Sequence, residues 1–511
     1  MNTLVLFILS ALCLNCWSWS SEMRDRELLL QIQAFHNYLK SIQTSELFAN
    51  TKVGSDIQKY KAGLGNEDIH LNISQLIFKY GYKVEEHEVT TEDGYILTLI
   101  RIRSEGPVVF LMHGLVMSAD DWVTAGTESG IAYLLANEGY DVWMGNARGS
   151  KHSRRHKTLA PSSQKFWDFS WDEIGRYDLP VMIDYVLDIR NQTKLIYVGH
   201  SQGCTSFLVM CSEILAYNDK ISLMVALSAP AAIPNMKSPI FNFLKVVTLF
   251  HPELLFSLFK ELGIYEFLPS ENITAPFRQT ICGTEELAKI VCSNIAFSFC
   301  GFDAAQLNVT NLPVVFAHTP SGAATKQFEH YSQSLISGRF RRFDFGPAKN
   351  YEMYRSLIPP EYPVERITVP IALFYSENDW LVDVKDVENL RRRLKNVVEY
   401  YKVPNKNFNH VDYLFALDLK QLVFSKMSSK LSQKVRKQIV SARAVAIVLY
   451  IGDDVDTLRH FVHMHQCRAM PASAHERFAG ASTFSNTFLL YFNDLLKPGI
   501  FGYIEDSTVV E

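Results

Sequence analysis

The amino-acid sequence predicts an α/β fold in which helices cover both faces of a mostly parallel sheet. Short runs that are apolar along their whole length alternate with helical patterns, and such runs are typical of strands buried on both faces. Hydrophobic residues make up 48% and charged residues 20% of the 511-residue chain, the balance of a packed globular protein. The predicted strands are residues 96–102, 107–112, 140–145, 194–199, 221–228 and 369–375.

The first 20 residues have the pattern of a secretory signal peptide. An apolar run over residues 4–14 is followed by the small residues Ser18 and Ser20, an order typical of a segment that is removed after export. Neither Lys nor Arg precedes the run, so a short anchor is the alternative. The run is shorter than the roughly 20 residues that span a bilayer, and we expect no transmembrane span.

Export would expose the chain to an oxidising compartment, which permits disulfides. Cys204 and Cys211 are seven residues apart in a helical pattern, so we expect both to be buried free thiols. Cys282, Cys292 and Cys300 can form one disulfide with one thiol left over, and we expect Cys282 to pair with Cys292. N-x-S/T sequons predict glycosylation at Asn72, Asn191, Asn272 and Asn308.

The charge and the motifs argue against three classes of partner. The net charge of -4 provides no basic surface for neutralising phosphates, so we expect no nucleic-acid partner. A histidine-rich string ending at Cys467 (His460, His463, His465) lacks recognised zinc-ligand spacing and a second ligand pair. We therefore expect no metal and no organic cofactor.

A candidate nucleophile lies at Ser201, in the G-x-S-x-G motif of residues 199–203. The motif follows a strand-like apolar run and precedes a helical pattern, and this context makes it specific. The serine of such a motif lies on a sharp turn with its hydroxyl exposed, and small flanking residues avoid clashes there. The helix that follows favours negative charge near its first residues. An ordinary glycine-rich turn is the alternative interpretation.

A serine hydroxyl is a weak nucleophile, so it needs a histidine base that is held by a carboxylate. In the fold with this motif the three residues occur along the chain in the order serine, acid, histidine. Asp379 follows the predicted strand 369–375, at the end where active-site groups collect, and Glu377 and Asp383 are nearby alternatives. His410 follows a further strand-like run and is the predicted base.

The tetrahedral intermediate of acyl transfer requires two backbone N–H donors. One is expected from the residue after the nucleophile, Gln202, and the other from a loop after an early strand. His113, Gly114 and Leu115 follow the predicted strand 107–112, so the Leu115 amide is the second candidate. We expect His113 to order this loop and not to transfer protons.

About 140 residues separate the fifth and sixth predicted strands, far more than a crossover between strands needs. Residues 238–269 are apolar on nearly every helical face, so this segment is buried or meets an apolar ligand. We therefore predict an inserted, mainly helical cap domain. The predicted division is a signal peptide (1–20), an N-terminal segment (21–65), a core in two parts (66–230 and 356–432), the cap (231–355) and an unassigned C-terminal tail (433–511).

These motifs and several longer stretches resemble the acid lipase family, which contains lysosomal acid lipase, gastric lipases and insect digestive lipases. The resemblance implies an α/β-hydrolase fold with a mostly parallel central sheet. The sequence departs from the family at Asp172, where a histidine is common, and in its long tail. The matching stretches are residues 72–102, 110–115, 143–156, 166–187, 199–203, 337–346, 375–383 and 408–418.

By this resemblance Ser201, Asp379 and His410 match the family's triad, and Leu115 and Gln202 match its oxyanion hole. The implied function is a serine lipase that hydrolyses carboxylic esters of neutral lipids, triacylglycerols or sterol esters or both, at lipid–water interfaces. The expected location is extracellular or lysosomal.

Fold alone does not give function, so alternatives stay open. They are a peptidase, an esterase for smaller soluble esters, and a catalytically inactive lipid-binding homologue. The apolar cap favours lipid substrates, and the full set of triad residue types favours an enzyme.

Overall fold

The computed structural model describes residues 62–239, 241–242, 245, 254–268 and 299–436. The predicted signal peptide, Asn272, the Cys282–Cys292 pair and the histidine-rich string near Cys467 lie outside these residues. Within them, Cys204 and Cys211 are buried free thiols, as predicted, and Cys300 is a third. No helix in the described ranges is long and apolar enough to cross a membrane.

Nine strands form one mixed sheet around which the fold is built. Eight of them follow the spatial order β1-β2-β4-β3-β6-β7-β10-β11, and β5 pairs with β2. These strands are β1 (Val84–Thr90), β2 (Tyr95–Ile102), β3 (Val108–Met112), β4 (Asp141–Gly145), β5 (Arg155–His156), β6 (Leu195–His200), β7 (Ile221–Leu227), β10 (Ile371–Tyr375) and β11 (Val397–Lys402), while β8 (Glu266–Phe267) and β9 (Ala323–Ala324) form a separate pair.

The strands from β4 to β11 in this order pair in parallel, whereas β1 and β2 pair antiparallel at one side of the sheet. Every residue of β3, β4, β6 and β7 is buried. Strands covered on both faces need apolar side chains at every position, which explains their continuous apolar runs. The prediction of an α/β fold with a mostly parallel sheet is confirmed.

Helices pack on the sheet and also occur in the described parts of the long connection between β7 and β10. The N-terminal half contains α1 (Ile73–Lys79), α2 (Ile131–Asn137), α3 (Trp171–Glu173), α4 (Leu179–Ile189), α5 (Gln202–Glu213) and α6 (Tyr217–Lys220), and the remainder contains α7 (Leu254–Glu261), α8 (Leu312–His318), α9 (Thr325–Ser337), α10 (Pro347–Tyr354), α11 (Val384–Arg393), α12 (Asp412–Phe415) and a helix over residues 425–436. Shorter 3-10 and π turns lie at Glu67–His70, Ala119–Trp122, Gln164–Trp167, Ile174–Asp178, Val309–Asn311, Val364–Arg366 and Lys420–Phe424.

Helix α9 lies on the first turns of α5, the helix that begins directly after Ser201. The Gln202 side-chain amide donates a hydrogen bond of 2.6 Å to Gln327, and the Tyr331 hydroxyl is 3.0 Å from the Thr205 hydroxyl. The connection between β7 and β10 therefore contributes side chains that contact the helix after Ser201.

Candidate active site

Ser201 lies on the turn between β6 and α5 with an unusual backbone conformation, φ 50° and ψ -120°. Its N–H donates to the Leu227 carbonyl on the neighbouring strand at 3.0 Å. Gly203 makes the turn possible by its small size, since an added Cβ would lie 2.2 Å from the Met112 carbonyl oxygen. A positive φ is uncommon for a residue other than glycine and marks a position that its surroundings hold in place.

His410 lies in the loop between β11 and α12, with its Nε2 2.8 Å from the Ser201 hydroxyl oxygen. Its ring is buried. Two reciprocal hydrogen bonds between residues on either side of His410 hold this loop. The Asn409 N–H donates to the Asp412 carboxyl at 2.7 Å, and the Asp412 N–H donates to the Asn409 side chain at 3.1 Å. Nε2–H of His200 also donates to the His410 carbonyl at 2.9 Å.

Burial decides the protonation of groups that hold this loop. It raises the pKa of Asp412 to about 8, so at neutral pH this carboxyl is mostly protonated. Burial lowers the pKa of His200 to about 3, so this ring stays neutral in weak acid. Both supports of the His410 loop are thus uncharged between about pH 4 and 7.

Asp379 lies in the loop after β10, with one carboxylate oxygen 2.9 Å from Nδ1 of His410. Its other oxygen accepts hydrogen bonds of 2.9 Å from the Leu381 and Val382 N–H groups. Burial by itself raises the pKa of Asp379, but the charge of His410 and the hydrogen bonds that reach the carboxylate outweigh this effect and hold the pKa below its usual value. The carboxylate therefore remains ionised beside the imidazole.

The loop after β3 approaches Ser201 closely, since an added Cβ on Gly114 would lie 3.1 Å from the Ser201 Cβ. Among the described residues, neither the Leu115 amide nor the Gln202 amide donates a hydrogen bond to another protein group. Two unsatisfied N–H groups beside a serine hydroxyl can stabilise an oxyanion.

His113 orders the same loop, as expected. Its Nδ1–H donates to the Gly114 carbonyl at 2.8 Å, and its Nε2 accepts from the Ala147 N–H at 3.1 Å. Burial lowers the pKa of His113 to about 4, which keeps the ring neutral for both bonds.

The structure therefore brings together Ser201, His410 and Asp379 and places the other acids elsewhere. The Glu377 carboxylate pairs with Lys402, and the Asp383 side chain caps α11 through the Lys385 N–H. At position 172, where a histidine is common in the family, the Asp172 carboxylate accepts a hydrogen bond from the Tyr362 hydroxyl. It contacts none of the three candidate residues.

One residue at the site was not anticipated from the sequence. The Ser228 hydroxyl, directly after β7, is 2.5 Å from the Asp379 carboxylate and 2.9 Å from Nδ1 of His410. No motif surrounds Ser228 in the sequence, so only the order of strands in the sheet reveals it.

Three predicted sequons lie within the described residues. Asn72 and Asn191 are exposed, whereas Asn308 is half-buried and accepts a hydrogen bond from the Asn311 N–H. Over those same residues, no group of three or more His, Cys, Asp or Glu side chains is arranged to hold a metal ion.

Comparison with known proteins gives matches along the part of the chain that carries this site. A family model described as a partial α/β-hydrolase lipase region matches residues 73–126, and a model of the α/β hydrolase fold matches residues 107–262. Lipase 1 of Drosophila melanogaster is 44% identical, over 71% of this chain and 80% of its own length. Gastric triacylglycerol lipase of Rattus norvegicus is 39% identical, over 73% of this chain and 94% of its own length. Lysosomal acid lipase/cholesteryl ester hydrolase of Macaca fascicularis is 36% identical, over 71% of this chain and 91% of its own length.

Proposed function

The chain belongs to the acid lipase family, and from that premise we propose that Ser201, His410 and Asp379 form its catalytic triad. It has the α/β-hydrolase fold and is a carboxylic ester hydrolase of the lipase type. The observation that supports the triad is a continuous hydrogen-bonded path, 2.8 Å from the Ser201 hydroxyl to Nε2 of His410 and 2.9 Å from Nδ1 to Asp379.

In the proposed acylation step, Nε2 of His410 accepts the hydroxyl proton while the Ser201 oxygen attacks the ester carbonyl carbon. Asp379 accepts the Nδ1–H bond, which keeps Nε2 free as the base and stabilises the imidazolium that forms. The carbonyl oxygen becomes an oxyanion, and the Leu115 and Gln202 amides donate to it.

Collapse of the tetrahedral intermediate breaks the bond to the alcohol. His410 gives its proton from Nε2 to the leaving oxygen, and the acyl group stays on Ser201 as an ester. In the second half of the cycle His410 takes a proton from water, whose oxygen attacks the acyl carbon, and the same proton returns to Ser201. The products are one alcohol and one carboxylic acid.

The proposed substrates are neutral lipids, triacylglycerols or sterol esters or both. Relatives bear the names triacylglycerol lipase and cholesteryl ester hydrolase. The segment after α7, within the predicted cap, exposes Leu262 and Leu268, and exposed apolar side chains in such a cap suit contact with a lipid–water interface.

We propose a location in the secretory pathway, extracellular or lysosomal. The signal-like first 20 residues and the exposed sequons at Asn72 and Asn191 support this location. A Cys282–Cys292 disulfide would suit such a compartment and remains a prediction.

The nucleophile can be tested with a fluorophosphonate label and a substrate panel. Ser201→Ala should abolish labelling and lower kcat by roughly 10⁴-fold or more, because the base then has no hydroxyl to activate. Ser212→Ala is the matched control, since Ser212 is a buried serine on the same helix whose hydroxyl donates to the Val209 carbonyl at 3.1 Å. Near wild-type turnover by purified Ser201→Ala would refute the assignment.

The panel compares a triacylglycerol, a cholesteryl ester and a soluble short-chain ester. Hydrolysis of the soluble ester alone would identify the smaller-ester esterase, and binding without turnover on all three would identify an inactive homologue.

A further inference from the structure

Ser228 directly follows β7, the strand that lies between the two strands leading to Ser201 and Asp379. Strand β7 is the neighbour of both β6, which leads to Ser201, and β10, which leads to Asp379. At its end the Leu227 carbonyl accepts the Ser201 N–H, and the Ser228 N–H donates to the Phe374 carbonyl, each at 3.0 Å. The first residue after β7 is therefore fixed between the nucleophile turn and the loop of the acid.

The Ser228 side chain contacts both partners of the proposed Asp–His pair. Its hydroxyl donates to the Asp379 oxygen that also faces His410, at 2.5 Å, and the same hydroxyl oxygen is 2.9 Å from Nδ1. A serine hydroxyl has one donor and two acceptor positions. Donation to Asp379 therefore leaves a lone pair that shares the single Nδ1–H of His410 with the Asp379 carboxylate in a bifurcated hydrogen bond.

The backbone of Ser228 is unfavourable for a residue with a side chain. Its φ is 52° and the residue is fully buried. Such a conformation favours glycine, so a serine here persists against a local cost. The hydrogen bonds of the Ser228 hydroxyl with Asp379 and His410 are a functional reason for a serine at this position.

We propose that Ser228 is a positioning residue of the catalytic cycle, a proposal that rests on the triad proposed above. Its donated bond keeps one oxygen of Asp379 turned toward the imidazole. Its accepted bond helps keep the His410 proton on Nδ1, so that Nε2 faces Ser201 unprotonated. The bond accepted from Nδ1–H strengthens when His410 becomes an imidazolium, because charged partners make stronger hydrogen bonds. Ser228 thus stabilises the transition state more than the resting enzyme.

The test compares Ser228→Ala and Ser228→Gly in the full chain, using a soluble short-chain ester. Each change removes two hydrogen bonds to groups that are charged in the transition state, so kcat should fall by about 10- to 100-fold. KM should stay unchanged, since the buried Ser228 hydroxyl faces Asp379 and Nδ1 of His410, on the opposite side of the imidazole from Nε2 and Ser201. The rate of fluorophosphonate labelling should fall in parallel, because it reports the activation of Ser201 directly.

Thermal unfolding separates positioning from a structural role. Glycine tolerates a positive φ, so the Tm of Ser228→Gly should equal or exceed that of Ser228→Ala, while both have the same low kcat. If relief of the backbone conformation restored turnover in the glycine variant, the hydroxyl would not be responsible and the proposal would be wrong.

Two controls keep the outcomes apart. Ser222→Ala changes a buried serine on the same strand whose hydroxyl bonds to the Leu195 carbonyl, and it should keep wild-type kcat. Ser201→Ala tests the triad itself. Wild-type kcat in both Ser228 variants beside an inactive Ser201→Ala would overturn the positioning role alone, whereas an active Ser201→Ala would overturn the proposed function.

Discussion

Replacing Gly203 by alanine should damage both stability and catalysis, although helix propensity predicts the reverse. Gly203 is the second residue of α5, and alanine is favoured over glycine inside a helix by about 1 kcal/mol. The added Cβ, however, would lie 2.2 Å from the Met112 carbonyl oxygen, 2.9 Å from its carbon and 3.0 Å from the His113 oxygen. All three atoms belong to backbone, so none can move aside as a side chain would.

Relief of this overlap requires α5 and the end of β3 to separate by about 1.3 Å, given ordinary contacts of roughly 3.5 Å. Such overpacking costs about 1–3 kcal/mol, which exceeds the gain in helix propensity. The movement would also separate the Gln202 amide from the loop that holds the Leu115 amide. A misplacement of about 1 Å can lower turnover by roughly 10²-fold, and this is the loss that we expect in kcat/KM.

The assay is urea unfolding together with kcat/KM on a soluble ester for Gly203→Ala, with Gly65→Ala as control. Gly65 is exposed, and its added Cβ would meet only the Ala62 carbonyl oxygen at 3.7 Å, an ordinary contact. The Gly65→Ala control should have the same free energy of unfolding and the same kcat/KM as the wild type. A Gly203→Ala protein as stable and as active as the wild type would show that the close approach of α5 to β3 is not needed for the site.

Two further predictions concern pH and the tail. Burial lowers the pKa of His330 to about 3, below the unfolded value of about 6.5, so its contribution to stability is present above pH 6.5 and lost as the pH falls toward 3. In urea unfolding from pH 8 to 4.5, the free energy of unfolding of His330→Gln should therefore fall by about 3 kcal/mol less than that of the wild type, and parallel curves would contradict this. A chain ending at Arg436 should keep wild-type turnover, because the tail supplies no triad residue. The cut follows Arg436 because Leu431 is fully buried, and an unfolded product would show that the tail completes the core.

The central strands and the three candidate residues were accessible from the sequence because each leaves a local signal. Strands buried on both faces are apolar throughout, as β6 is, and the nucleophile turn requires small residues at fixed spacing. Asp379 and His410 could be chosen because active-site groups follow the carboxyl ends of parallel strands, and this rule needs only the strand positions.

Strand β1 was not predicted, and its sequence explains why. It lies at an edge of the sheet, and its residues VEEHEVT include one buried position, Val89. An edge strand exposed on one face alternates polar and apolar residues, so a search for continuous apolar runs passes over it. The predicted cap bounds 231–355 rest on composition alone and remain a prediction.

The order of strands in the sheet explains why an Asp–His pair here needs a third residue. Along the sheet, β6, β7, β10 and β11 follow one another, so Ser201 and Asp379 follow strands that are separated by β7. Neighbouring strands lie about 4.8 Å apart, and the acid loop must therefore approach the nucleophile across the end of β7. Whatever side chain follows β7 is placed against the Asp379 carboxylate. An apolar side chain there would leave the Asp379 oxygen that faces His410 without its second hydrogen-bond donor. A serine fills this position with a hydrogen-bond donor, which makes the residue after β7 part of the catalytic geometry although it lies outside every motif.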